Sequence, residues 1–211
     1  MIEITEEMLN HLRETVMQSM SLRRFRHTVA VEEMVARLCQ LYCPASTVLL
    51  RAAALLHDVT KECSTEEQQA LCRRYGLEVT AEDVLAPKTF HARTAAAMIP
   101  DKFPAFAHPA VISAVRWHTT GREGMTLEEK LLYFADYIDE SRSFENCVIL
   151  RRYFWGAEPA SMNQADREKL LRDALLLSYR MTVEDLLAEG TPVALDTVRA
   201  RNQLLREKAE K

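Results

Sequence analysis

Apolar residues recur at three- and four-residue spacing along most of the chain, the pattern of helices with one buried face. Ala30, Val31, Met34, Leu38 and Leu41 form one such stripe, in a segment that Ser21 opens and Pro44 stops after Cys43. Ser46 stands where it can cap a second segment, running to His57. Ser64-Thr-Glu-Glu67 and Thr126-Leu-Glu-Glu129 are capping-box patterns; the first opens a helix ending at Gly76, the second one ending near Asp139. His108-Pro109 puts proline at the first position of a helix over Ala110–His118. Helical spacing returns from Gln164 to Glu189 and again from Pro192, and the charged end, Arg199 to Lys211, reads as a solvated helix. No segment alternates over strand length and no internal repeat is present, so the expected fold is all-α.

Composition narrows the class without changing that picture. A chain of 211 residues has the size of one domain, and 48% hydrophobic with 27% charged residues is ordinary for a folded globular protein. Five glycines and seven prolines argue against an all-β fold. A net charge of −4 excludes a general nucleic-acid binder, which needs clustered Lys and Arg. No apolar run approaches the roughly 18–20 residues of a membrane helix, and the acidic start, Met1 to Glu7, lacks a signal-peptide core. The five cysteines show no C-x-x-C spacing, and Cys39 and Cys43 share a helical face without further ligands, so reduced thiols in a cytoplasmic protein are expected.

The informative residues are polar ones in apolar company. His27 lies on the stripe of Val31 and Met34, with Arg24 on the same side. His57 follows Leu50, Ala53 and Ala54, and His118 follows Val111, Ala114 and Val115, at the same helical offsets; His91 looks forward to Ala95 and Met98. Asp136 sits in Leu131-Leu-Tyr-Phe-Ala-Asp-Tyr-Ile138, apolar almost all round, and Asp58 ends an uncharged run from Ala52. An ionised carboxylate in a dry place is costly unless paired or metal-bound. Singly, each residue has an ordinary explanation: a hydrogen-bonded core histidine, or a salt bridge to Arg24 or Arg142. Six together, two of them adjacent, point to a bound cation. His11, in a polar N-terminal helix, and His108, at a cap position, stand apart, while Arg93, Arg116 and Arg122 read as solvated surface.

Four imidazoles and two carboxylates without thiolate suit iron, manganese, cobalt or zinc better than magnesium. Six ligands serve two ions if one carboxylate bridges, leaving net positive charge that matches a polyanionic substrate. Two-metal sites activate water and stabilise the attacking and leaving oxygens of a phosphoryl centre. Arg24, Lys61 and Arg142, with Thr119, Thr120 and Gly121 of His118-Thr-Thr-Gly121, are placed to hold phosphate oxygens.

Taken in order, His27, His57-Asp58, His91, His118 and Asp136 resemble the signature of the HD-domain metal-dependent phosphohydrolases. More narrowly, the chain resembles the bacterial YqeK family through Arg24-Phe-Arg-His-Thr28, Leu56-His-Asp-Val-Thr-Lys61, His91-Ala-Arg-Thr-Ala-Ala96, His118-Thr-Thr-Gly121 and Ala135-Asp-Tyr-Ile-Asp-Glu-Ser-Arg142. The likeness covers about residues 20–145, leaving 146–211 as C-terminal helices of the same domain, with contacts a homodimer could use. It implies symmetrical hydrolysis of the nucleotide diadenosine tetraphosphate to two ADP, with iron as the physiological metal. It implies that Asp58 bridges, that His27, His57 and Asp136 hold one ion, and that His91 and His118 hold the other. Asp58 and Lys61 are the residues expected at the catalytic centre. The chain departs from the family after Ile138, where Glu then Pro is usual and Asp139-Glu140 stands. The residues themselves leave open a phosphohydrolase of mononucleotides, dNTPs or cyclic nucleotides, and a nucleotide-sensing module without turnover.

Overall fold

Capping side chains start most of the helices that they mark in the sequence. The computed structural model describes residues 4–209, so Met1–Glu3 of the acidic start and Glu210–Lys211 of the charged end lie outside the described residues. Among the described residues there are eleven α-helices, four short 3-10 turns and no strand. The helices are α1 (Glu6–Ser19), α2 (Leu22–Tyr42), α3 (Thr47–Leu56), α4 (Thr65–Arg74), α5 (Ala81–Leu85), α6 (Phe90–Lys102), α7 (Pro109–Trp117), α8 (Leu127–Ile138), α9 (Glu145–Gly156), α10 (Gln164–Ala188) and α11 (Leu195–Ala209). Ser21 accepts from the Arg24 N–H at the start of α2, and the Ser64/Glu67 and Thr126/Glu129 boxes close reciprocally at α4 and α8. His108 accepts from the Ala110 N–H at 3.2 Å, which makes it the cap of α7. Ser46 behaves differently from the expectation. It ends a 3-10 turn that runs directly into α3, where the Thr47 N–H bonds to the Pro44 carbonyl. Its hydroxyl is thereby freed to donate to Glu128 at 3.0 Å.

α2, α3, α7 and α8 pack mutually around the centre, with α1 over α3, α6 against α7, and α9 to α11 extending from α8. The last half of α3 is enclosed on every side: each residue from Ala52 to Leu56 is completely buried, as is Leu50. Its three consecutive alanines let neighbouring backbones approach closely, and each fully buried leucine contributes about 1.5–3 kcal/mol. Leu150, Phe154, Leu171, Leu175, Tyr179 and Leu204 of the C-terminal helices join the same continuous core. Buried Glu32 of α2 accepts from Arg13 of α1 at 2.6 Å and from Arg51 of α3 at 3.0 Å, tying three helices at one carboxylate. No helix among the described residues is long and apolar enough to cross a membrane.

This packing brings the chemistry together. A short turn reverses the chain between α2 and α3, so the first turns of α2 lie beside the last turn of α3 and the His27 and His57 rings are 5.5 Å apart. α7 also ends there, with the His57 and His118 rings 4.9 Å apart.

Candidate metal centre and its cavity

Three of the four histidines are fixed in one way. His57 and His118 cap the C-termini of α3 and α7, where the last carbonyls have no intrahelical partner. Each ring turns back to such a carbonyl, His57 Nδ1 to Ala54 O at 2.6 Å and His118 Nδ1 to Val115 O at 2.7 Å. His91, in the first turn of α6, does the same with Lys88 O at 2.8 Å. A carbonyl only accepts, so Nδ1 carries a proton and Nε2 is the atom turned to the site. His27 is held by side chains instead: its Nδ1 lies 3.3 Å from Asp139 Oδ2 and 3.3 Å from the Ser141 hydroxyl.

The Nε2 atoms converge on Asp58. Its Oδ2 is 3.4 Å from His57 Nε2 and 3.7 Å from His27 Nε2. Its Oδ1 is 3.3 Å from His91 Nε2 and 3.7 Å from His118 Nε2. One carboxylate thus spans two imidazole pairs. Asp136 Oδ1 adds to the first pair, at 3.0 Å from His27 Nε2 and 3.7 Å from His57 Nε2. The histidines and Asp58 are buried, and Asp136 keeps 18% of its side chain exposed.

Electrostatics follow from this arrangement. Burial pushes the Asp58 carboxyl up, but His57, His118 and His91 outweigh it and hold it well below the usual range. For Asp136 burial is likewise outweighed, by Arg142 and His27. Burial lowers the His57 imidazole, yet Asp58 and Asp136 raise it to about 10. His91 and His118 are pushed down, chiefly by burial, and His91 further by Lys61, so both are neutral donors. The cluster therefore demands positive charge on one side and offers free lone pairs on the other. His27 Nε2 and His57 Nε2 are buried without a hydrogen-bond partner, although buried polar atoms are nearly always paired. Two groups of donors, His27–His57–Asp136 and His57–Asp58–His118, each lie within 4.8 Å of one another. Nitrogen and carboxylate oxygen in this geometry fit first-row metal ions.

The basic residues border the same point. Arg24 Nη1 is 2.5 Å from Asp58 Oδ2, Arg142 Nη2 is 2.6 Å from Asp136 Oδ1, and Lys61 Nζ is 3.2 Å from His91 Nε2. Thr119 Oγ1 is 3.1 Å from the Nε2 atoms of both His91 and His118. A cavity of about 490 Å³ opens onto this cluster. Lys61, His118, Thr119, Thr120, Asp136 and Arg142 form its polar end, and Leu85, Pro87, Tyr133, Tyr137, Leu186 and Pro192 its apolar walls. Gly121 does not border it: Gly121 is buried against Tyr179, and the Thr120 hydroxyl donates to its carbonyl at 2.9 Å.

Asp139, which the sequence showed only as a departure from the family, is completely buried between His27 and Arg142. Its one signal is position, a turn beyond Asp136. The α10 and α11 region, expected to serve packing and dimer contacts, also supplies the cavity wall through Thr182, Leu186, Pro192 and Thr197. Three arginines expected in solvent are not free there. Arg93 is bonded to Asp83 at 2.8 Å, Arg122 to buried Glu129 at 3.1 Å, and Arg116 lies 4.0 Å over the Trp117 ring, where burial lowers its guanidinium to about 10.

Helix ends that deliver four histidines and two aspartates to one buried point define a helical metal-dependent hydrolase. The HD-domain family model matches residues 24–141, and the chain belongs to the HD-domain family. It is 31% identical over 186 residues to the symmetrical bis(5'-nucleosyl)-tetraphosphatase of Halalkalibacterium halodurans, covering 87% of this chain and 90% of that one. The protein of the same name from Bacillus subtilis is 29% identical over 190 residues, 90% of this chain and 94% of the relative. Among solved structures, a protein from Clostridium acetobutylicum described as a predicted HD superfamily hydrolase involved in NAD metabolism superposes with a TM-score of 0.80 at 28% identity. That match covers 94% of this chain and 97% of the other.

Proposed function

We propose that this chain hydrolyses diadenosine tetraphosphate symmetrically, water adding to an inner phosphorus as the central P–O–P bond breaks to give two ADP. The observation that carries this reading is Asp58, whose two oxygens face different imidazole pairs. His27, His57 and Asp136 would hold one ion, His91 and His118 the other, with Asp58 shared. Two ions held there would supply Lewis acidity, lowering the pKa of a water and offsetting charge on the phosphoryl oxygens. Iron is the metal we favour, over manganese, cobalt and zinc. Arg24, Lys61 and Arg142 offer charge-assisted hydrogen bonds to the non-bridging phosphate oxygens. Thr119 and Thr120 add hydroxyls at the polar end of the cavity, and its apolar walls receive a nucleoside and exclude water from that end. The substrate rests on the names of the relatives. The five free thiols support a cytoplasmic location, and exposed Ile149, Tyr153 and Leu187 support a homodimer across the C-terminal helices. The test is direct: protein loaded separately with each metal is given diadenosine tetraphosphate and the products are resolved by ion exchange. Two ADP per substrate is expected. ATP plus AMP overturns the symmetrical reading, and no turnover with any of the four metals overturns the activity.

A further inference from the structure

The cluster has a second approach with a different lining. A cleft of about 740 Å³ lies along the first turns of α2 and the segment after α8, bordered by Arg23, Arg24, Arg26, His27, Arg142 and Phe144. Arg142 also borders the first cavity, and both spaces touch the candidate centre, the one at His118 and Asp136, the other at His27. Arg24 and Arg142 face Asp58 and Asp136. Arg23 and Arg26 are exposed and, among the described residues, bind no carboxylate. The one acid of the cleft, Glu62, is already occupied: it accepts from the Ser21 backbone at 2.8 Å and from the Ser21 hydroxyl at 2.5 Å. Arg24 and Arg142 are thus matched by carboxylates, which leaves Arg23 and Arg26 as the cations of the cleft open to an anionic ligand, in a chain whose net charge is −4. At the rim Phe144 leaves 67% of its surface in solvent.

Cutting a dinucleoside tetraphosphate at its central bridge leaves a nucleoside diphosphate on each side of the reacting phosphorus. A site for that reaction needs room for a nucleotide on each side of that phosphorus, whereas a mononucleotide needs room on one. We infer that the arginine cleft is the second nucleotide subsite: Arg23 and Arg26 hold the phosphates beyond the scissile bond, and Phe144 stacks the second base. The first nucleoside then occupies the cavity lined by Tyr133, Tyr137 and Leu186. This inference rests on the proposed reaction, and its test needs no turnover.

Metal-loaded protein is titrated calorimetrically with ADP and with a diadenosine tetraphosphate whose central bridging oxygen is replaced by methylene. The wild-type chain is expected to bind the analogue about tenfold or more tightly than ADP, the equivalent of about 1.4 kcal/mol. In Arg23→Ala/Arg26→Ala that advantage falls to about twofold or less, and Phe144→Ala removes about half of it on a logarithmic scale. All three side chains are exposed, so circular dichroism is expected to show an unchanged fold. An advantage that persists in the double variant, or that is missing in the wild-type chain, overturns the subsite. ATP plus AMP from the natural substrate overturns the symmetrical reaction instead, so the two failures are distinguishable.

Discussion

At residue scale, Gly121 has the least room of the five glycines. Its φ is +65°, and a Cβ there would lie 2.0 Å from the Tyr179 hydroxyl but 3.1 Å from the ring carbon bearing it. Left-handed backbone and a forced contact together place the cost of Gly121→Ala at roughly 2–4 kcal/mol, read from the urea midpoint. Because the hydroxyl makes the closest contact, adding Tyr179→Phe should recover part of the loss, and strict additivity in the double variant would count against this account. Asp139 makes the opposite case, a group whose value is alignment. It accepts from the Ser141 N–H at 2.9 Å while its other oxygen faces His27 and Arg142. Partners of this kind typically carry about 10–100-fold of metal affinity. Asp139→Asn is therefore expected to weaken manganese binding by about that factor in calorimetry, and unchanged affinity would refute the role. The inward-facing histidines were legible because each breaks an apolar stripe. Asp139 breaks none, since it lies in the irregular segment just past α8 where polar residues are ordinary. Arg116 was misread for a related reason: a helix pattern shows which face is polar, not that a neighbouring indole covers it.

At the scale of elements, a capping side chain marked most of the helix starts that were legible, and α3 was legible from its apolar run although a 3-10 turn starts it. α2, α4, α7 and α8 carry Ser21, Ser64, His108 and Thr126 at their starts, whereas α3 and α6 emerge from 3-10 turns and α9 has no side-chain cap. A start made by backbone hydrogen bonds leaves no residue signature, and five-residue α5 is too short to show a period. α5 matters nonetheless, because Leu85 at its end borders the cavity. It is pinned by Asp83, which accepts from the Thr80 N–H at 2.9 Å and from Arg93 at 2.8 Å. Burial raises the Asp83 carboxyl, but Thr80 and Arg93 outweigh it and depress it below 3.8. A depressed carboxylate stabilises the fold above its unfolded value, and that contribution is lost as pH falls through the folded one. Hydrogen exchange at Val84, whose N–H bonds to Thr80 O, should therefore speed up below about pH 3.8 relative to α3. Asp83→Asn should remove that step; a step that survives the substitution would assign it elsewhere. Glu32 is the corresponding tie for α1. Since Arg13 and Arg51 keep 28% and 18% of their side chains exposed, Glu32→Gln should cost about 2–3 kcal/mol, below a fully buried pair. The first proteolytic cuts in the variant should fall in α1; an unchanged digest would show that α1 is held by Leu9, Leu12 and Val16 alone.

At the scale of the molecule, five helices separated along the chain meet at one point, and the fold's stability and the centre's charge are coupled there. That the six residues face inward could be read from the sequence; that α10 and α11 wall the cavity could not, because Leu186, Pro192 and Ala194 are ordinary side chains whose role comes only from where the chain returns. The coupling predicts what metal removal does. Asp58 and Asp136 are each paired with an arginine, and the hydrophobic core is continuous without any contribution from the centre, so the metal-free chain should remain folded. Binding adds stability only by mass action, about 2.7 kcal/mol at a hundredfold excess over the dissociation constant. For a domain of this size that corresponds to a drop of about 5–10 °C in Tm on chelation, restored by adding the metal back. His91→Ala and His118→Ala should each shrink the shift, because each removes an imidazole facing Asp58 Oδ1. His108→Ala, which touches only the start of α7, should leave the shift intact while lowering both Tm values together. A chelator that moves none of these temperatures, in protein whose elemental analysis also shows no metal, would mean that the converging imidazoles and carboxylates are a buried polar network and nothing more.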